Sequence, residues 1–123
     1  MKAVKDIFDN SVTLFQFGNF KGMDYGDCDE SFDEYRTYQN KITKEKIIQH
    51  IENLEPYCCM PMPNHEIFTG EAFKVSPGYY RDGDFIFPLD FLYYLKNYDI
   101  GIPHEYEKYL MSEQQELKTL GRL

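Results

Sequence analysis

Residues 78–98 read GYYRDGDFIFPLDFLYYLKNY, and this stretch decides the fold class. Tyr79-Tyr80-Arg81 and Asp84-Phe85-Ile86-Phe87 are rich in aromatic and β-branched residues, the composition of strands. Between them stands Asp82-Gly83. An Asp-Gly pair in that position predicts a hairpin closed by a type I′ turn, whose two central residues need positive φ. A hairpin makes its two strands antiparallel. At Pro88 the pattern changes. Proline suits the first position of a helix, and Asp90 in the first turn favours the positive end of the helix dipole. The spacing predicts a helix from Pro88 to about Asn97. Leu89, Phe91, Leu92, Tyr93, Tyr94 and Leu95 cover nearly every face of it. Such a helix is buried on more than one side, or one side meets a partner.

Working outward, residues 43–54 form the cleanest helix. Thr43 is a candidate N-cap, and Ile42 and Ile47 sit at the positions of a hydrophobic staple. Ile47, Ile48, Ile51 and Leu54 make one apolar stripe, and Pro56 ends it. Residues 104–119 give a last, mostly polar helix with Tyr106, Tyr109, Leu110, Leu117 and Leu120 as a ragged stripe. Residues 12–17, VTLFQF, read as a strand. Val4, Ile7 and Phe8 fall at i, i+3 and i+4, which predicts a short helix over 2–9. Residues 55–65, EPYCCMPMPNH, carry three prolines and must be irregular or an edge. Residues 66–75 look like strand segments around Gly70, followed by the turn Ser76-Pro77-Gly78. The expectation is an α+β fold, with a small, mostly antiparallel sheet packed with about four helices. The strands are expected to cluster between 66 and 87. No glycine-rich βαβ pattern suggests a doubly wound nucleotide-binding sheet.

A chain of 123 residues suits a single globular domain over 1–123. Its formal charge is 13 − 21 = −8. An acidic surface repels phosphate backbones, so nucleic acid is not an expected partner. No stretch approaches the ~20 apolar residues that span a bilayer, so a membrane is not expected either. The first ten residues carry charges and lack the apolar core of a secretory signal. Cys28, Cys58 and Cys59 are odd in number and two are adjacent, a poor disulfide framework. Reduced thiols fit a cytoplasmic protein.

Motifs of high catalytic specificity are missing. Cys58, Cys59 and His65 lie close together, but adjacent cysteines in a strand point to opposite faces, which argues against a shared zinc. Asp27, Asp29 and Ser31 resemble the start of a calcium loop, yet Phe32 stands where glycine is needed and Tyr38 where glutamate is. His50 and His104 read as structural. No cofactor is expected. One alternative is a small enzyme using a cysteine or carboxylates near residues 57–66. Another is an adaptor that self-associates through the apolar helix at 88–98.

The segment 21–40, KGMDYGDCDESFDEYRTYQN, differs from the rest. Six acids against Lys21 and Arg36 leave it at −4, half of the whole chain's net charge. It reads as a long surface loop, with a short strand near Tyr35 to Tyr38. Long loops in small domains are more often functional than accidental. Interleaved acids and aromatics suit a surface that meets a basic protein. The candidate partner-binding residues are Asp27, Asp29, Glu30, Asp33 and Glu34 for electrostatics, with Tyr25 and Tyr35 as anchors.

Residues 78–110 also resemble the C-terminal half of small bacterial immunity proteins from contact-dependent growth inhibition and related polymorphic toxin systems. The likeness rests on Asp82-Gly83-Asp84, the run 85–94, and Asn97-Tyr98-Asp99-Ile100-Gly101-Ile102-Pro103. These residues look structural, and no catalytic role carries over. A monomer or weak dimer is expected, and the resemblance implies a cytosolic, non-enzymatic protein. It would bind and neutralise the C-terminal domain of one cognate toxin, often a nuclease with a basic active site.

Overall fold

A computed structural model describes residues 1–120, with side chains described through Ser112. It is an α+β domain. Five strands, β1 (Lys2–Lys5), β2 (Thr13–Gln16), β3 (Pro56–Cys59), β4 (Gly78–Asp82) and β5 (Phe85–Pro88), form one sheet in the order β1-β2-β5-β4-β3. Among the described residues four helices accompany it: α1 (Phe32–Arg36), α2 (Lys44–Glu52), α3 (Asp90–Asn97) and α4 (His104–Leu120). Three strand pairs are antiparallel, and β2–β5 is parallel, with Phe15 opposite Phe85. Among the described residues no helix is long and apolar enough to cross a membrane.

The hairpin forms, with its turn displaced by one residue. Asp82 pairs with Phe85, so the two-residue loop is Gly83-Asp84. Only Gly83 has positive φ, at 59°, which matches a type II′ turn with glycine at the first central position. The displacement has a physical cause. Asp82 is pulled into the strand end, where it is 7% exposed. Its Oδ2 lies 2.7 Å from His50 Nε2 on α2 and accepts the Tyr106 hydroxyl of α4, also at 2.7 Å.

Aromatic side chains fill the space between sheet and helices. Phe17 stacks on Phe87 at 4.9 Å and meets Phe91 edge-on at 5.4 Å and Tyr106 at 5.1 Å. Phe20, Phe32, Tyr35 and Tyr94 extend this cluster. Offset and edge-to-face pairs of this kind add to the effect of burial alone. On α3, Phe91, Tyr94 and Leu95 are buried within the chain. On α4, Tyr106 and Leu110 are buried, while Leu117 and Leu120 of the expected stripe lie outside the described side chains. Thr43 caps α2 by accepting the Lys46 N–H, and Ile47 and Ile51 form its buried face.

Four local expectations are corrected. Residues 2–5 form an edge strand instead of part of a helix, because pairing with β2 wins over a weak helical spacing. Ile7 and Phe8 project from the following turn, 68% and 66% exposed. Residues 66–75 hold no strand, only the single bridge His65–Ala72. There the Glu66 carboxylate accepts the Phe68 N–H at 2.8 Å and the Glu66 carbonyl accepts the Gly70 N–H at 2.8 Å, so a local turn captures the backbone. The expected strand near Tyr35 is the helix α1. Asp33 and Glu34 lie in its first turn, at the positive end of the dipole, and Phe32 and Tyr35 share its buried face. Pro88 closes β5, and the helix begins at Asp90.

The Asp82 clamp makes stability depend on pH. Burial alone would raise this carboxyl's pKa, but the hydrogen bonds from His50 and Tyr106 and the charge of His50 outweigh it and hold the group below its ordinary 3.8. A carboxyl lowered in the folded state stabilises fully above its unfolded pKa and loses that contribution as pH falls through the folded value. Asp82→Ala is expected to cost about 2–4 kcal/mol at pH 7. In urea titrations the gap between wild type and Asp82→Asn should narrow below pH 4; a gap independent of pH would contradict the clamp.

Candidate functional site

The acidic segment is laid against the sheet by a few local bonds. Phe20 and Glu30 form a bridge, with Lys21 N–H donating to the Glu30 carbonyl at 2.9 Å and Glu30 N–H to the Asn19 carbonyl at 3.2 Å. At Gly26 φ is +81°, and an added Cβ would collide with the Tyr79 hydroxyl and the Asn19 amide. A side chain there would therefore be strained and would push the segment off the sheet. Asn19 is itself buried, its amide nitrogen donating to the Tyr79 hydroxyl at 3.2 Å and its oxygen accepting from Gln16.

This path gathers Asp27, Asp29, Glu30 and Glu34 around one cleft of about 270 Å³, together with Lys2, Gln16 and Asn19. The Asp27 and Asp29 side chains are 82% and 65% exposed. Lys2 Nζ sits between them, 3.1 Å from Asp27 and 3.3 Å from Asp29. The hydrogen bond to Asp27 leads in holding the Lys2 pKa above its ordinary value, with Asp29 adding to it. Glu34 accepts the Tyr38 hydroxyl at 3.3 Å. Burial first and Glu34 second push that phenol up to about 12. Asp33 does not line the cleft; it is 87% exposed and lies 3.5 Å from Arg36.

Glu30 differs from the other acids. Its side chain is 14% exposed. Its Oε1 accepts the Gly18 N–H at 2.7 Å, and its Oε2 accepts the Tyr35 hydroxyl at 2.8 Å and the Met1 amino group at 3.3 Å. It is part of the floor as well as a source of charge.

The two expected anchors are in the core. Tyr25 is 6% exposed and Tyr35 is fully buried, so neither has a face to offer a partner. Tyr25 donates to Asp90 Oδ1 at 2.6 Å, and Tyr35 receives the Gly18 N–H at 2.9 Å. Burial above all pushes both phenols up. Their role is to hold the acidic segment in place. The i, i+3 spacing of Phe32 and Tyr35 carried that signal. Lys2, Gln16 and Asn19 are not among the expected site residues: the pairing of β1 with β2 sets Lys2 opposite Gln16, and the Phe20–Glu30 bridge brings Asn19 to the segment.

Other chemistry is sparse. Among the described residues no three His, Cys, Asp or Glu side chains come together to hold a metal ion. The resemblance of residues 27–38 to a calcium loop ends at Phe32, where α1 begins. All three cysteines are free thiols. Burial pushes the Cys28 and Cys58 thiols up, away from the thiolate that nucleophilic attack requires.

The division between charged rim and scaffold predicts two different mutant phenotypes. Tyr35→Phe should lower stability by about 1–2 kcal/mol, because Gly18 N–H and Glu30 lose a buried partner. Asp33→Asn, which removes one exposed charge from the first turn of α1, should shift the urea midpoint far less. Equal effects of the two in urea denaturation would contradict the division. No family model, curated protein or solved structure matches the chain.

Proposed function

We propose that this protein is an immunity protein, which binds the C-terminal domain of a cognate bacterial toxin in the cytoplasm and neutralises it. The observation that carries the reading is the cleft where Asp27, Asp29, Glu30 and Glu34 converge, with Asp33 exposed beside them. An acidic rim of this kind attracts a basic surface at long range and suppresses wrong partners through like-charge repulsion. A nuclease domain whose active site must hold phosphate offers such a basic surface. The acidity of the chain and the likeness of residues 78–110 to immunity proteins support the same reading. The action is binding and occlusion, with no chemical step.

The reading also accommodates the buried tyrosines. Steering by charge works best when the charges stand on a fixed base, since a mobile loop must be ordered on binding. Glu30 and Tyr35 supply that base. Partner contact then falls on Asp27, Asp29, Asp33 and Glu34.

The test starts from the neighbouring reading frame. The variable C-terminal domain of a large upstream protein is expressed with and without this chain, and growth is measured. Protection by wild type is expected. Reversing Asp27, Asp29, Asp33 and Glu34 to lysine should slow association by ~10-fold or more and flatten its dependence on salt. Circular dichroism checks that the variant is folded. A folded quadruple variant that associates and protects like wild type would overturn the site assignment. Failure of wild type to bind or protect against that domain would overturn the function.

A further inference from the structure

A second cleft, of about 500 Å³, is lined by Met60, Met62, His65, Phe73, Lys74 and Pro77 among others, and among the described residues by no carboxylate. Its wall is the proline-rich strap that follows β3. Met60 N–H donates to the Pro77 carbonyl at 2.8 Å, and Met62 N–H to the Met60 carbonyl at 3.0 Å. The second bond closes a three-residue turn at Pro61, which sets the two methionines at its two ends. The far end of the strap is tethered too. Asn64 is 5% exposed and donates to both Asp90 oxygens, at 3.0 and 2.9 Å, and to the Val75 carbonyl at 3.2 Å.

His65 is positioned by a carboxylate. Its Nδ1 lies 3.0 Å from Asp24 Oδ2, which also accepts the His65 backbone N–H at 2.6 Å. With the proton on Nδ1, Nε2 is the ring's lone-pair donor. A carboxylate behind one nitrogen of an imidazole is the usual support of a metal-ligating histidine.

Two thioethers and one imidazole are neutral donors, and the thioethers are soft. Soft sulfur ligands select copper(I), whereas calcium and magnesium demand oxygen. Lys74 also lines the cleft and repels any cation, a divalent one twice as strongly as a monovalent one. We propose that Met60, Met62 and His65 form a binding site for a soft monovalent metal ion, copper(I). The site is separate from the acidic cleft and does not depend on the toxin-binding reading.

The experiment must distinguish thioethers from thiols, since Cys59 is exposed next to Met60. Full-length Cys59→Ser protein carrying 13C in its methionine methyl groups is titrated with silver(I), a redox-inert soft probe. The methyl resonances of Met60 and Met62 should move together and saturate at one equivalent, ahead of the other three of the five methionines. Calcium should move neither. In a copper(I) competition assay, Met60→Leu/Met62→Leu should weaken binding ~10-fold or more at an unchanged melting temperature. Asp24→Asn should weaken it by ~10-fold through the loss of histidine support. Unmoved Met60 and Met62 methyls, or a double leucine variant that binds as tightly as its parent, would assign the metal to cysteine and overturn the site.

Discussion

The carboxylate of Asp90 is the point on which the surface features depend. It is fully buried at the start of α3. Tyr25 reaches it from the acidic segment, and Asn64 reaches it from the proline-rich strap. Three stretches distant in sequence are thus joined by one group. A buried carboxylate is costly unless its lone pairs are met. Here burial dominates and holds the pKa above its ordinary value, while the hydrogen bonds from Tyr25 and Asn64 oppose that rise. The segments that carry the two clefts are tethered by the groups that satisfy it.

Tyrosine does much of the joining in this molecule. Phenols bury a large apolar ring while keeping one polar atom for a specific bond. Tyr25 links the acidic segment to Asp90 and to the Gly78 carbonyl. Tyr35 links α1 to Glu30 and Gly18, Tyr106 links α4 to Asp82, and Tyr94 accepts the Ile67 N–H. Among the described residues no buried side-chain nitrogen or oxygen lacks a partner. The core is therefore cross-linked by hydrogen bonds in addition to being packed. That network keeps the exposed carboxylates on a defined base instead of a loose loop.

Much of the fold was legible because it rests on local rules. Thr43 followed by the stripe Ile47 and Ile51 marked α2, and the structure places the cap and the buried face there. The hairpin signal was local too, although the turn moved by one residue once Asp82 found His50 and Tyr106. The concentration of acidic charge was legible. Asp27, Asp29, Glu30 and Glu34 lie around one cleft, as a dense acidic run suggests. Tyr25 and Tyr35 face the core instead of a partner, since interleaving in sequence does not reveal which side of the segment is buried.

The sequence by itself determined the α+β class, the hairpin, the main helices and the concentration of charge in residues 21–40, because each follows from periodicity, turn chemistry or composition over a short window. Tertiary structure decided the rest. It made residues 2–5 a strand, joined β2 to β5 in parallel, buried Tyr25 and Tyr35, and brought Met60, Met62 and His65 to the lining of one cleft. Those outcomes turn on pairings outside any one short window, from Lys5 with Thr13 in β1–β2 to Phe15 with Phe85 in β2–β5. In each, a buried hydrogen-bonding group or an unpaired strand edge is satisfied by whichever distant partner the packing brings within reach, and no short window of sequence names that partner.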